Sequence, residues 1–401
     1  MLGLSQLFGK ETIVGLDIGC RMIKIALAEA AGTQWRILKA ASCPTPADAI
    51  RDGIVVDGPA VSQAIRDLMR LNNIEANGAI AAISGASVIV RHVKMPRMSE
   101  TLLRKGVRYE ASKYISSANE DSMIEFEITG DIPGEDDKMG VMLVAVPKEM
   151  VESRLNALSG AGLEPVAIDI ETFAMQRSLI DLDETAAVGA CTLALLDIGA
   201  TSTDVCIVTE GKFALTRSIA IAGDNFTGAI KSISRATEWS DLEALKYRVD
   251  MGAMMAPDAD PEALALAQAM QPAIDELLRE VRRSINYYQS QLSDPTNSNL
   301  PLGISAEAEE SSVAKIIISG GGAKMQGLAQ YMTARLGVPT EVWSPFRNPS
   351  IHSEALTADV LEHDGPMFST CIGLALKELS ESASKPAARA TSKPTVKAKA
   401  A

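Results

Sequence analysis

Leu16-Asp17-Ile18-Gly19 and Leu196-Asp197-Ile198-Gly199 are the same four residues, set 180 positions apart. Each copy ends an apolar run, Ile13 to Ile18 and Leu193 to Ile198. Small or polar residues follow, and then a second apolar run, Met22 to Ala28 and Val205 to Val208. The pattern predicts two β-hairpins with tight glycine-containing turns. Successive N–H groups of such a turn form a concavity suited to phosphate oxygens. An Asp just before it is placed to hold a divalent cation, directly or through water, because hard cations take oxygen ligands. A single Asp-x-Gly turn is common, but two copies in separate halves predict two related lobes that share a phosphate-binding cleft. The turn residues are Gly19, Cys20 and Arg21 in the first copy and Gly199, Ala200, Thr201 and Ser202 in the second. Lys24, seven residues after Asp17, adds a point charge for terminal phosphates. The plainer alternative makes Lys24 an exposed strand residue and the repeat a coincidence of apolar strands. Asp204 is placed to accept hydrogen bonds from the nearby Thr201, Ser202 and Thr203 hydroxyls.

A third stretch argues against coincidence. Lys315 to Ser319 reads as a buried strand, followed at once by Gly320-Gly321-Gly322-Ala323-Lys324. Glycines after a strand let a ligand approach the backbone, and a helix is expected from about Gln326 to Leu336. A dinucleotide fingerprint would need a third glycine where Met325 stands, so a dehydrogenase reading is disfavoured.

Hairpin with Asp, second hairpin with Asp, then glycines before a helix: this order resembles the actin-like ATPase superfamily, which includes actin, DnaK-type chaperones, sugar kinases and FtsA. There the stretches are the phosphate 1, phosphate 2 and adenosine motifs. The fuller resemblance is to the PilM family of type IV pilus assembly. It is carried by Leu7-Phe8-Gly9-Lys10, Val14 to Gly19, Ala145-Val146-Pro147-Lys148-Glu149, Ala161-Gly162-Leu163 and Gly223-Asp224-Asn225-Phe226-Thr227. It spans residues 1–380. It implies an α/β, ribonuclease H-like, two-lobed fold with an inserted small α+β subdomain, binding ATP or ADP with Mg²⁺. By resemblance Asp17 and Asp197 are the metal and catalytic aspartates. Glu171 or Asp169, at the connection between lobes, is the group that orients water. The residues alone slightly favour reading these two as helix-capping acids. Glu243-x-x-Lys246 is similar to the element that grips ribose and adenine, its bland alternative being a surface ion pair. Gly320, Gly321, Gly322 and Lys324 belong to the adenosine motif.

Composition fits. A chain of 401 residues, 47% of them hydrophobic, exceeds one ordinary core. The net charge is −13, and all 51 acidic residues precede Lys385, so the body repels nucleic acid. The five cysteines are scattered, with neither metal-ligand spacing nor a disulfide framework, which favours a reducing cytoplasm. No run is long enough for a membrane span and the start is no signal peptide.

Along the chain, the expected first lobe covers 1–94 and an inserted subdomain 95–165, with a break at Met95-Pro96. The connection covers 166–189, the second lobe 190–365 and a returning C-terminal helix 366–380. Ser99 is a helix cap. The apolar steps Ile274, Leu277, Leu278, Val281, Ile285, Tyr288 and Leu292 predict a core helix. Tyr114-Ile115 is followed by Ser116-Ser117 where PilM relatives often have Pro-Phe. Residues 294–312 are expected to be a loop. The basic tail, 381–401, is too poor in apolar residues to fold, and it lacks the amphipathic membrane helix of FtsA.

The reading is a cytoplasmic actin-like ATP-binding protein of pilus assembly, a scaffold or nucleotide switch, and at most a slow ATPase. Its alternatives are an FtsA-like membrane-linked filament protein and a small-molecule kinase of the same fold. The resemblance implies docking on the cytoplasmic N-terminal peptide of a PilN-like inner-membrane protein, between the first lobe and the insert. Self-association in a polymer is the competing use of that surface.

Overall fold

The computed structural model describes residues 12–31, 34–115, 120–132, 134–181, 191–236, 238–256, 259–292 and 312–384. The Leu7 to Lys10 motif, Ser116-Ser117, most of the 294–312 loop and the tail from 385 lie outside them.

Two main sheets are built from one plan. In the first, β1 (Ile13–Ile18), β2 (Met22–Ala31) and β3 (Gln34–Pro44) form an antiparallel meander. After the small hairpin β4 (Ile50–Arg51) and β5 (Ile54–Val55) comes helix α1 (Gly58–Leu71), and β6 (Gly78–Ile83) then adds parallel to β1. The second sheet repeats this with β11 (Thr192–Ile198), β12 (Thr203–Thr209) and β13 (Lys212–Ile219) as the meander. Helices α5 (Gly223–Ile230), α6 (Trp239–Lys246) and α7 (Pro261–Leu292) follow, and β14 (Val313–Ser319) adds parallel to β11. A fifth strand extends each sheet in parallel: β10 (Glu164–Ile170) beyond β6, and β15 (Thr340–Val342) beyond β14. Short β16 (Ile351–His352) returns to the first sheet beside β3, although its residues fall within the range expected for the second lobe.

Alternation decides which way the two aspartates face. Val14, Leu16 and Ile18 point into a core closed by α1 and by α3 (Lys148–Gly160). Ala194, Leu196 and Ile198 point into the core of α5, α7 and α8 (Leu328–Leu336). Gly15, Asp17 and Asp197 therefore lie on the opposite faces, where the lobes meet. Those faces are covered by two exchanged helices. Helix α4 (Glu171–Gln176), prolonged by a π-helical turn (Arg177–Asp181), leaves the first sheet; Met175, Leu179 and Ile180 pack on β11 and β12 of the second. Helix α9 (Ser369–Ser384) leaves the second lobe; Cys371, Ile372, Ala375 and Leu376 pack on β2 and β3 of the first. The pair cross at Gly373, where a Cβ would stand 1.8 Å from the Ala174 carbonyl oxygen. Gly15 is held to glycine in the same way, since its Cβ would fall 2.0 Å from the Cys371 carbonyl.

The insert differs from its expected bounds. Met95-Pro96 does not break the chain but ends strand β7 (Ile89–Pro96), with Met95 fully buried. This proline closes an edge strand, where a missing N–H costs little. Strand β7 pairs with β9 (Lys138–Pro147), which also pairs with β8 (Ser122–Asp131), and α2 (Glu100–Ser112) covers the sheet. Ser99 caps α2, accepting from the Leu102 N–H. Helix α3, placed inside the insert by its position in sequence, instead buries Ala157 and Leu158 in the first-lobe core. The long α7 is a core helix of the second lobe, with Ile274, Leu277, Leu278, Val281, Ile285 and Tyr288 buried.

Candidate functional site

The two hairpins place their turns face to face. Gly19 donates its N–H to the Met22 carbonyl (3.1 Å), and Gly199 donates to the Ser202 carbonyl (3.0 Å). The glycine amides therefore close the turns themselves, contrary to the expectation that all three turn amides serve an anion. Across the cleft the Thr201 hydroxyl donates to Cys20 Sγ at 3.4 Å. The second turn is fixed from behind: Gly223 donates to the Gly199 carbonyl (3.1 Å) and Asp224 to that of Ala200 (2.7 Å).

Asp17 and Lys24 are directly paired in the β1–β2 ladder, and Asp197 and Asp204 hold the same position in β11–β12. Lys24 is not an exposed strand residue; its Nζ donates to Asp17 Oδ2 at 2.6 Å with 17% of the side chain accessible. Burial opposes its charge, but Asp17 and Asp197 outweigh burial and hold the ammonium above its ordinary pKa. Enclosure raises the Asp197 carboxyl, while Lys24 pulls it down and Asp17 pushes it up. Thr370 of α9 donates to Asp197 Oδ2 at 3.1 Å. Burial pushes Asp204 up to about 7, with Asp197 and Asp17 adding and hydrogen bonds from Ser218 and Ser84 subtracting. Those serines are its partners, not the turn hydroxyls; Thr203 donates instead to the Ile221 carbonyl at 2.7 Å.

Glu171 enters this field from the first turn of α4. Burial raises its carboxyl well above the ordinary value, and Asp17, Asp204 and Asp197 add to the shift. Asp169 does not join it. Its Oδ2 pairs with Arg177 at 3.1 Å and Lys377 at 3.4 Å, tying β10 to the crossing helices. Neither acid caps α4, whose N-cap is Ile170 without a side-chain bond. Buried Arg154 offsets part of the acidic field at Glu171 and donates to the Ala82 carbonyl at 2.7 Å.

Glu243 and Lys246 are no surface pair. Lys246 has 3% of its side chain accessible; its Nζ lies 2.8 Å from both Glu243 oxygens and 3.5 Å from the Gly223 carbonyl, behind the second turn. The glycine run has two duties. Gly320 (φ +85°) and Gly322 are forced by packing on β11, since Cβ atoms there would come within 2.1 Å of Asp197 Oδ1 and 2.3 Å of Ile198 Cγ2. Gly321 alone faces open space, with the Tyr247 hydroxyl 3.6 Å from its notional Cβ. Lys324 pairs with Asp364 and lies 5.5 Å from the centre of the Tyr247 ring. Sequence reasoning passed over Arg154, Trp239, Tyr247 and Thr370. It assigned Asp204 the wrong partners, although the 180-residue shift sets that residue against Lys24.

A Mg²⁺ ion fits this site only together with a ligand. Among the described residues no three His, Cys, Asp or Glu side chains converge to hold a metal. Asp17 and Asp197 could supply two oxygens, leaving the remaining positions to phosphate and water. The described helices include none long and apolar enough to cross a membrane.

Comparison with solved structures finds a match to the PilM-PilN type IV pilus biogenesis complex at 27% identity and TM-score 0.73, covering 91% of this chain and 97% of that one. MreB5 of Spiroplasma citri, bound to AMPPNP, shares the fold at 12% identity and TM-score 0.51, covering 94% and 98%. The cell division protein FtsA of Pseudomonas aeruginosa is 30% identical over 233 residues, 53% of this chain. The match spans about half of that relative's length, 47%. The architecture is thus that of actin-like ATPases. The model of the type IV pilus assembly protein PilM family matches residues 15–379, and the chain belongs to that family.

Proposed function

We propose that this chain is a nucleotide-binding switch of type IV pilus assembly, closing its cleft on ATP or ADP with Mg²⁺. The observation that carries the reading is the pair of facing turns with Asp17–Lys24 and Asp197–Asp204 at one register. Lys24 neutralises phosphate charge, Asp17 and Asp197 orient the metal, and the amides of Cys20, Arg21, Ala200 and Thr201 serve phosphate oxygens. Glu243 and Lys246 grip the ribose, and Gly321 lets adenosine approach. Glu171 orients water, and turnover in this reading is at most that of a slow ATPase. Calorimetric titration with ATP and Mg²⁺ is the test. Lys24→Ala is expected to lose about 1–3 kcal/mol of affinity, the contribution of a charged hydrogen bond. Equal binding by wild type and by Asp17→Ala/Lys24→Ala would refute the assignment.

The partner in this reading is the cytoplasmic peptide of a PilN-like inner-membrane protein, which would hold the chain at the membrane. The solved relative assembles with PilN. In this chain β8 is an edge of the insert's sheet, open to addition of an extended peptide. The acidic chain favours a basic peptide and binding that weakens with salt. Fluorescence titration with that peptide checks it; failure of the full chain to bind would remove the partner.

A further inference from the structure

The tip of the first turn carries a side chain that the nucleotide reading leaves without a task. Arg21 reaches across the cleft to Asp224, at the start of the eight-residue helix α5. Its Nε lies 3.2 and 3.1 Å from the two carboxylate oxygens, and Nη2 lies 2.9 Å from Oδ2. The guanidinium carbon stands 4.9 Å from the centre of the Trp239 ring. The indole N–H of Trp239 is buried and has no acceptor among the described residues, a second donor in the same region. Asp224 is bound through its own N–H to the second turn. One ion pair therefore links both phosphate-binding turns.

The planar fork of arginine recognises carboxylate and phosphate by the same paired geometry. The guanidinium lies over the Trp239 ring, and its Nε and Nη2 edge is directed across the cleft at Asp224. Half of the Arg21 side chain is accessible, so the bond to Asp224 is of the exchangeable kind that contributes little net stability. Resting on the nucleotide reading above, we propose that Arg21 senses the terminal phosphate. Asp224 is its placeholder anion, and the guanidinium transfers from that carboxylate to the last phosphate of a nucleoside triphosphate. A diphosphate lacks the group that draws it away. The fork thereby distinguishes ATP from ADP and reports the difference to α5.

Three single variants and one double variant test the transfer. Arg21→Ala is expected to lower ATP affinity about tenfold while ADP affinity stays within about twofold, as expected for loss of one charged hydrogen-bonding contact. Asp224→Asn, which weakens the competing anion, is expected to tighten ATP binding severalfold. It should have no effect on ATP when Arg21 is already Ala. Arg21→Lys keeps the charge without the fork and should recover only part of the ATP preference. Calorimetry with ATP and with ADP reads all of these, and melting temperatures check that each variant folds. Equal losses for ATP and ADP in Arg21→Ala, or no loss, would overturn the sensor. So would a drop in ATP affinity in Asp224→Asn as large as that of Arg21→Ala, because the pair would then be a fixed clasp. Wild-type chain that binds neither nucleotide would remove the nucleotide reading and the sensor together; wild-type binding with an unchanged ATP-to-ADP ratio in Arg21→Ala removes the sensor alone.

Discussion

Replacing Asp204 by Asn should stabilise the protein, and by an amount that depends on pH. Asp204 is 5% accessible, and burial pushes its carboxyl from 3.8 up to about 7. Below pH 4 it is protonated in both folded and unfolded chains and contributes no difference. Between pH 4 and 7 the unfolded chain has lost the proton and the folded chain keeps it. Stability then falls by about 1.4 kcal/mol for each pH unit. Above pH 7 the loss is complete, at about 4 kcal/mol on the order-of-magnitude scale that a shift of three units implies. Asn has nearly the same shape and can still accept from Ser84 and Ser218, but it carries no charge. Urea unfolding of wild type and Asp204→Asn at pH 3.5, 6, 7 and 8 is the assay. The curves should nearly coincide at the acid end and separate in favour of the variant as pH rises. A difference of one size at every pH would refute the argument, because it would show a packing effect and not a buried charge.

Gly373→Ala should destabilise by about 1–3 kcal/mol or more, the usual cost of overpacking, since the new methyl would collide with the Ala174 backbone at the helix crossing; denaturant titration measures it. His92 of β7 is bonded to the Phe213 carbonyl at 3.0 Å, and burial lowers its pKa below 6.5. Its neutral form is the one that folding favours, so its contribution is full above pH 6.5 and is lost as pH falls through the lower folded value. Protection of the β7 and β13 amides, taken relative to their intrinsic exchange rates, should fall at acid pH in wild type, and that loss should disappear in His92→Gln.

Much of the site was legible because strand register is simple arithmetic. A tetrapeptide repeated after 180 residues fixed two hairpins and placed Asp17 and Asp197 at equivalent positions. The core helix of Ile274 to Tyr288 followed from helical spacing. Other features depended on contacts between distant segments, which one-dimensional patterns do not carry. Helix α3 reads as part of an α+β module, yet its Ala157 and Leu158 join the first-lobe core. Met95-Pro96 looks like a break because proline punctuates loops, but an edge strand can end on it. Gly320 and Gly322 read as ligand glycines, and packing against β11 already requires them. Asp169 and Glu171 are two residues apart, and only the placement of Arg177 and Lys377 separates their roles.

The repeat also explains why the floor of the cleft is acidic. Two copies of one hairpin placed face to face bring equivalent positions together, so charges at those positions are multiplied. Asp17 and Asp197 are retained in both, and the ladder partner is Lys24 in one copy and Asp204 in the other. Glu171 adds a further carboxyl because α4 crosses from the first sheet onto the second. Burial, and after it repulsion among these carboxyls, raises Asp197, Asp204 and Glu171, while Lys24 and Arg154 offset only part of the shift. Such an arrangement is disfavoured in a core, and in the proposed reading a cation arriving with its own phosphates offsets it. The exchanged helices α4 and α9 keep it enclosed, and their crossing at Gly373 and Ala174 joins the two lobes behind the site.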